Sequence, residues 1–250
     1  MNYSIVEEGT LPSKGKIYSV SVNPKIKIRS MTTEEEMRRL APSEDAYKTL
    51  CEIIDACLVE NPGISSYDMC MADYKYLLHK LRTVTYGPNY PTESVCPYCA
   101  NKNIVETSLE ELPIKEFNEE DYASLIEFTL PQTKKKIRLV MQSPRMLDYI
   151  EYSNREFKKQ SKGLAGNSAF LFTVQELIDT VDGKKLDPVQ KDLFVRSLPM
   201  MDTNYIVQKS EKLVESFGVD SQLNHKCQLC GLDYTTFFRY SKEFFRPSID

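Results

Sequence analysis

Two short cysteine pairs are the residues whose type and spacing are best suited to chemistry. The first is CPYC at positions 96–99, and the second is CQLC at positions 227–230, followed by a glycine. A C-x-x-C turn holds two thiolates close together, so each pair can supply half of a tetrahedral Zn²⁺ site. The sequence therefore predicts one structural zinc ion with four ligands: Cys96, Cys99, Cys227 and Cys230.

The two pairs are far apart in the chain for a zinc ribbon. Residues 100–226 lie between them, whereas a ribbon usually has about 15 to 20 residues there. A shared zinc ion would clamp the ends of this long insertion, and four sulfurs would leave no open position for a substrate. The alternatives are reduced turns without metal, two independent redox pairs, and a site in which His225 replaces one cysteine.

The other chemistry-bearing residues indicate no catalytic or cofactor-binding site. Cys51 and Cys57 lie in an apolar helical pattern and Cys70 lies at the edge of another, so we expect buried core thiols. The only other histidine besides His225 is His79, which falls within a predicted helix. The sequence contains no GxGxxG, Walker A, GxSxG or HExxH motif. We therefore expect a protein that is not an enzyme.

Composition is typical of a soluble globular protein with a slightly acidic surface. Of the 250 residues, 41% are hydrophobic and 27% are charged. The formal net charge of −4 gives no global positive field for nucleic acid. No apolar run approaches the roughly 18 to 20 residues of a membrane span, and the acidic start is unlike a signal peptide. We expect a cytoplasmic protein without a membrane, nucleic-acid or small-molecule partner.

Helical periodicity accounts for most of the elements that must position the cysteines. The capping-box pattern of Thr32 and Glu35 predicts a short helix after Met31. Asp68 and Asp202 are predicted to cap the second and the last of the longer helices. These longer helices are predicted over residues 44–60, 68–86, 144–160, 170–181, 187–198 and 202–217.

Short strands are predicted beside each cysteine pair and in one hairpin. Residues 25–29 alternate and predict an edge strand or short hairpin, and NIVETSL predicts a strand after the first pair. Residues 126–130 and 137–141 predict a hairpin. An aromatic run follows the second pair, and it either covers the zinc turn as core or forms a docking surface. Its aromatic residues are Tyr234, Phe237, Phe238, Tyr240, Phe244 and Phe245.

The elements together predict an α+β fold with a mainly helical body, a split zinc-ribbon-like element and a β-hairpin. Residues 1–95 are expected to form an N-terminal strand or loop arm and a helical part. Residues 96–109 and 225–240 are the two predicted halves of the ribbon. Residues 110–224 are the predicted insertion, which contains the hairpin and a helical segment.

The order of several motifs resembles that of a known family. They are LPSKGKIY at 11–18, IRSMTTEEE from 28, DYKYLLHKLRTVTYG at 73–87, CPYC, TLPQTKKKI and CQLC. In this order they resemble the T4-type contractile-tail bacteriophage baseplate hub protein family. That family includes the hub subunit and the hub assembly protein, or chaperone, and the length fits the assembly protein better.

The resemblance implies a non-enzymatic role in phage tail morphogenesis, in which the chain helps to assemble the central hub of the baseplate. The implied partners are other baseplate hub or tail proteins. The implied location is the host cytoplasm during assembly, with the virion baseplate as the alternative final location. The cysteine turns alone support a second hypothesis, a zinc-ribbon nucleic-acid-binding or transcription-related module. A metal-centred enzyme ranks third, because it needs an open ligand position.

Overall fold

The fold combines a helical body with five small antiparallel sheets, within the residues that the computed structural model describes: 4–161, 168–238 and 244–245. This confirms the predicted α+β class. The helices are α1 (Thr33–Leu40), α2 (Ala46–Cys57), α3 (Met71–Tyr86), α4 (Glu119–Ile126), α5 (Pro144–Gln160), α6 (Ser168–Leu177), α7 (Pro188–Ser197) and α8 (Met200–Glu215). A 3₁₀ turn covers Leu109–Glu111. None of the helices in these residues has the length and apolar character needed to cross a bilayer.

The strands form hairpins and short pairs rather than one large sheet. They are β1 (Val6–Thr10), β2 (Lys25–Arg29), β3 (Asn89–Val95), β4 (Lys102–Ser108), β5 (Ile114–Lys115), β6 (Glu127–Thr129), β7 (Lys136–Leu139), β8 (Ile178–Val181), β9 (Gly218–Val219), β10 (Gln222–Lys226) and β11 (Asp233–Phe237). The pairs are β1–β2, β3–β4, β5–β9 and β10–β11, and β6–β7–β8 form a three-stranded sheet. The cysteine pairs occupy the turns of the β3–β4 and β10–β11 hairpins.

Two hydrophobic cores hold these elements together. The first packs β2, α2 and α3 against Phe238, Phe244 and Phe245 near the C-terminus. The second lies between residues 126 and 213 and packs β6, β7 and β8 against α5, α6 and α8. The chain thus leaves the first core, builds the second core, and then contacts the first core again through Leu223 of β10. The predicted division into three regions stays a prediction.

Several predicted element boundaries are wrong, and tertiary contacts explain why. Helix α3 begins at Met71 rather than at Asp68, whose carboxylate binds the Arg145 guanidinium at 2.5 Å. Helix α8 begins at Met200, so Asp202 lies inside it. The predicted helix over 170–181 ends at Leu177, because the next four residues form β8 beside β7. Helix α4 and strands β3, β5, β8, β9 and β10 were not among the predicted elements.

The LPSKGKIY motif forms a loop that attaches to α3. The Ser13 backbone N–H and hydroxyl donate to buried Asp73 at 2.9 and 2.5 Å, and the Tyr18 hydroxyl donates to the same carboxylate at 2.6 Å. Gly15 has a φ of +73°, and a Cβ there would lie 2.7 Å from the Val22 carbonyl oxygen. The loop thus requires glycine at this position. Two of the motifs that carry the family resemblance therefore contact each other.

Helix α1 begins with the predicted capping box. The Glu35 carboxylate accepts the Thr32 backbone N–H at 2.6 Å and also binds the Arg29 guanidinium at 2.5 Å. These hydrogen bonds, first from Arg29 and then from Thr32, outweigh partial burial and lower the pKa of Glu35 to about 2. The charged carboxylate therefore stabilises the folded state.

Glu35→Gln is expected to lower the free energy of unfolding by about 2 kcal/mol at pH 7. The pKa of Glu35 is about 2 in the fold against an ordinary 4.5. Its contribution is therefore complete above pH 4.5 and is lost as the pH falls towards 2. Denaturant unfolding of parent and variant at pH 7, 4 and 3 should show the difference shrinking. A difference that stays constant over this range would contradict the assignment.

The N-terminus of α2 is capped by a residue of α5. Buried Asp148 accepts the backbone N–H groups of Lys48 at 2.9 Å and Tyr47 at 3.4 Å. Asp45, which directly precedes α2, makes no side-chain cap hydrogen bond with the described residues. Because α2 belongs to the first core and α5 carries residues of the second, Asp148 joins the two.

Asp148→Ala is expected to lower the free energy of unfolding by about 1–2 kcal/mol, because two N–H groups in the first turn of α2 lose their acceptor. Asp45→Ala is the matched control and should change stability by no more than about 0.5 kcal/mol. Urea unfolding of both variants measures the difference. Equal losses of unfolding free energy at the two positions would show that the Asp148 cap stabilises the fold no more than Asp45 does.

Candidate metal centre

The first cysteine turn is a tight connection between β3 and β4. The Cys96 backbone N–H donates to the Asn101 carbonyl at 2.9 Å, and the Ala100 N–H donates to the Cys96 carbonyl at 3.0 Å. Ala100 has a φ of +58°, in the left-handed region. This reversal lets the chain enter β4 at Lys102, opposite Val95 of β3.

The second cysteine turn repeats this backbone arrangement between β10 and β11. The Cys227 N–H donates to the Leu232 carbonyl, and the Gly231 N–H donates to the Cys227 carbonyl, both at 3.0 Å. Gly231 is left-handed, with a φ of +73°, at the position equivalent to Ala100. The two turns thus share one backbone pattern, although one precedes the predicted insertion and the other follows it.

The two turns face each other and bring all four predicted sulfur atoms together. The Sγ atoms of Cys96 and Cys230 are 3.8 Å apart, and those of Cys99 and Cys227 are 3.6 Å apart. All four lie within 4.8 Å of one another. A tetrahedron with Zn–S bonds of about 2.3 Å has sulfur–sulfur edges of about 3.8 Å. The donor set and its spacing therefore fit a tetrahedral Cys₄ zinc site.

A buried polar network joins the hairpins behind the sulfurs. The Asn103 amide donates to the Tyr234 hydroxyl at 2.9 Å, and its oxygen accepts the Gln228 backbone N–H at 3.0 Å. The same amide nitrogen lies 3.8 Å from the Cys227 sulfur. Ser94 hydrogen-bonds the Tyr234 hydroxyl at 2.7 Å. This network orients Cys227 in the way that outer-shell partners orient metal ligands.

The sequence analysis did not identify Asn103 or Ser94 as part of the site. The two residues are opposite each other in the β3–β4 register, and Ser94 precedes Cys96 by two positions, so it shares a strand face with it. A pair of polar residues on the strand face that carries the cysteine is the signal that could have indicated them.

The electrostatics of the sulfurs favour a bound cation. Backbone N–H groups, first that of Cys230 and then that of Leu229, lower the pKa of the Cys227 thiol to about 6. The Asn101 N–H also lowers the pKa of Cys99, but burial and the three neighbouring thiols outweigh it and raise this pKa to about 12. The four sulfurs therefore cannot all be thiolates at neutral pH unless a cation balances their charge.

The remaining candidates of the sequence analysis lie elsewhere. The metal-ligand cluster in the described part of the chain contains four cysteines and no histidine, and His225 packs against the Tyr234 ring at 5.7 Å. Cys51, Cys57 and Cys70 are buried, as expected. Burial raises the pKa of all three thiols, which makes them poor nucleophiles.

The aromatic C-terminal run is mostly core. Tyr234, Phe238, Phe244 and Phe245 are buried, whereas Phe237 is exposed. Tyr240 lies outside the described residues. The buried phenylalanines pack into the first core, and Tyr234 packs against the sulfurs. The core interpretation is therefore confirmed for four of the six residues.

Asn103→Ala is expected to weaken zinc retention by about 10- to 100-fold, because Cys227 loses a partner that orients it. Competition with a chromophoric chelator measures this change. Asn224→Ala is the control, since exposed Asn224 lies on β10 and its side chain accepts a hydrogen bond from the Thr235 hydroxyl at 3.0 Å. Unchanged retention in Asn103→Ala would show that the network does not support the metal ligands.

The chain matches the model of a known protein family. A protein-family model described as "T4 bacteriophage base plate protein" matches residues 2–246. No curated protein and no solved structure matches the chain. The matched range includes both cysteine hairpins and the segment between them.

Proposed function

This chain belongs to the T4 bacteriophage base plate protein family, and we propose from this premise that it acts without enzymatic activity in assembling the central hub of the baseplate. It serves as an assembly factor, or chaperone, or as a hub component. The observation that carries the proposal is the family match over nearly the whole chain. The match also confirms the family predicted from the order of the sequence motifs.

The proposal assigns the four-cysteine cluster a structural zinc ion. Cys96 and Cys99 would hold it from the first hairpin, and Cys227 and Cys230 from the second. The 3.6 and 3.8 Å sulfur distances support this assignment. Zinc bound in this way would fix the two ends of residues 100–226 to each other, so that the intervening helices are presented as one body.

A structural role fits the site better than catalysis does. Four sulfurs would fill the four positions of a tetrahedral zinc ion, which leaves none for water or a substrate. The Ser13, Tyr18, Cys70 and Asp73 cluster contains groups that could do chemistry, but its cysteine and aspartate are buried and the hydrogen bonds are made within the cluster. Both observations support a protein that acts by binding other proteins at its surface.

The proposed partners are other hub or tail proteins of the baseplate, met in the host cytoplasm during assembly. Baseplate membership itself supports the virion baseplate as a location. The nucleic-acid-binding alternative would require cationic groups around the cysteine turns. Residues 95–101 and 227–232, which form these turns, contain no Lys or Arg, and beside them only Lys102 and Lys226 directly adjoin the turns, so the turns favour a protein partner.

The test is to inactivate the gene in the phage that encodes the chain. We expect tails to stop before a complete hub forms, and expression of the parent chain in trans should restore complete baseplates. Mass spectrometry of purified virions then assigns the role, since a component persists and an assembly factor is absent. Normal numbers of complete baseplates without the chain would contradict the proposal.

A further inference from the structure

The two cysteine turns themselves are uncharged and largely apolar, and exposed Lys102, Lys226 and Asp233 border them. The two turns, residues 95–101 and 227–232, are called the ribbon tip here. They contain no Asp, Glu, Lys or Arg, whereas 27% of the whole chain is charged. Tyr98 and Leu229 occupy the same position in the two C-x-x-C turns and are 63% and 71% exposed. Val95 and Leu232 beside them are 55% and 50% exposed.

The ribbon tip is a separate small unit rather than an edge of the large cores. The apolar cluster around the sulfurs contains only Cys96, Cys99, Cys227 and Tyr234 among the described residues. These four are distinct from the residues of both large cores. The Asn103 network and the proposed zinc ion would hold the tip rigid, so that Tyr98 and Leu229 are positioned before any partner arrives.

Depletion of charge and exposure of aromatic and aliphatic side chains are features of the centre of a protein interface. We propose that the ribbon tip inserts into an uncharged, apolar concave surface of another baseplate protein, with Tyr98 and Leu229 as its anchors. The inference rests on the proposed function, because it names the surface through which that function is exerted. A partner seated on the tip would also cover exposed Cys230.

Charge complementarity and area determine the kind of partner. Binding of a neutral apolar tip costs the least desolvation free energy when the partner surface is also uncharged, because no charged group is then buried without a counter-charge. The four exposed side chains offer only about 400 Å², about half of what each partner contributes to a stable interface. Two tips meeting end to end would therefore bury too little for a stable dimer. A concave partner that surrounds the tip can also contact the polar atoms beside these side chains.

The test uses a double variant, Tyr98→Asp with Leu229→Asp, which changes only exposed side chains and keeps all four cysteines. Its matched control is Val189→Asp with Leu193→Asp, because these residues of α7 are 69% and 64% exposed. Each full-length chain is co-expressed with the hub proteins of the same phage, and the affinity for the purified partner is then measured by titration. Zinc content and thermal unfolding are measured on every variant.

We expect the tip variant to bind at least 30-fold more weakly than the parent, with the same zinc content and unfolding temperature. The α7 control should stay within threefold of the parent. Unchanged binding by the tip variant overturns the inference and leaves the proposed function standing, as does an equal loss in the control. Loss of self-association in the tip variant would assign the tip to a second copy instead. A parent that binds none of the hub proteins would overturn both.

Discussion

Replacing Cys96 and Cys227 with serine is expected to abolish zinc binding and to cause the largest loss of stability of any change considered. Each substitution removes a sulfur from a different hairpin, so neither turn keeps a complete pair. Structural zinc sites contribute to folding directly, by about 10 kcal/mol or more in isolated zinc-binding peptides. The body of this chain has two cores of its own, so we expect a loss of several kcal/mol.

The measurement combines zinc per chain with thermal unfolding, on protein prepared under reducing conditions without chelator. The parent should hold about one zinc ion per chain, and the variant none. Cys51→Ala is the matched control, since it removes a buried cysteine from the first core and should cost packing energy while zinc remains bound. A variant that retains zinc and stability would show that the hairpins are not clamped by metal.

Arg82→Met is expected to lower the free energy of unfolding by about 3–5 kcal/mol. The Arg82 side chain is fully buried and donates to three backbone carbonyls from different parts of the chain. These are Phe244 at 2.9 Å, Gly87 at 2.8 Å and Asn89 at 3.2 Å. Methionine would fill much of the space but leave the three carbonyls without these donors.

The physical reason for this large effect is the position of the three carbonyls. Gly87 directly follows α3, Asn89 begins β3, and Phe244 packs into the first core. Arg82 therefore fixes the base of the first hairpin and the end of the chain to the same helix. Burial lowers the pKa of its guanidinium, which the three carbonyls still bind as hydrogen-bond acceptors.

Arg38→Met is the matched control for Arg82. Arg38 lies on α1 and pairs with Glu52 at 3.2 Å, and both side chains are about half exposed. Exposed pairs of this kind contribute no more than about 1 kcal/mol. Denaturant unfolding of both variants in the zinc-loaded state gives the comparison. Losses below about 1 kcal/mol at both positions would contradict the clamp role of Arg82.

The sequence predicts the helices well where an apolar face repeats over several turns. Helices α2 and α5 have such repeats, and Ser143 and Pro144 also indicate the start of α5, where the structure confirms the Ser143 cap. Local sequence patterns predict the wrong helix start where a residue distant in sequence binds the side chain that would have capped the helix. Asp68 and Asp202 both fit an N-cap pattern, but Asp68 binds Arg145, and Asp202 accepts two backbone N–H groups of the β6–β7 turn.

Short strands were the hardest elements to predict, because their stability comes from partners that are distant in sequence. Residues 178–181 continue an apolar run that fits a helix, and only pairing with β7 makes them a strand. Strand β3 contains Pro91, which speaks against a strand interior, yet it pairs along its full length with β4. Strand β10 is five residues long and has β11 as its partner across the second cysteine turn.

The candidate metal site also has a part that the sequence predicts and a part that it does not. Its four cysteines are predictable because C-x-x-C turns have a local signature, but their meeting depends on how the insertion folds back. Asn103 and Tyr234 form hydrogen bonds across the two hairpins, 131 positions apart. No local pattern contains such a pairing. The buried clamp of Arg82 on the Phe244 carbonyl, 162 positions away, is unpredictable for the same reason.

We propose that one metal ion joins the β3–β4 and β10–β11 hairpins, which lie at opposite ends of a long insertion. Zinc-edge X-ray absorption on the purified, reduced parent chain tests it most directly, because it reports the identity, number and distance of the ligands. We expect about one zinc ion per chain with four sulfur ligands at about 2.3 Å and no nitrogen or oxygen ligand. Absence of zinc, or a shell with two sulfurs and lighter atoms, would contradict it.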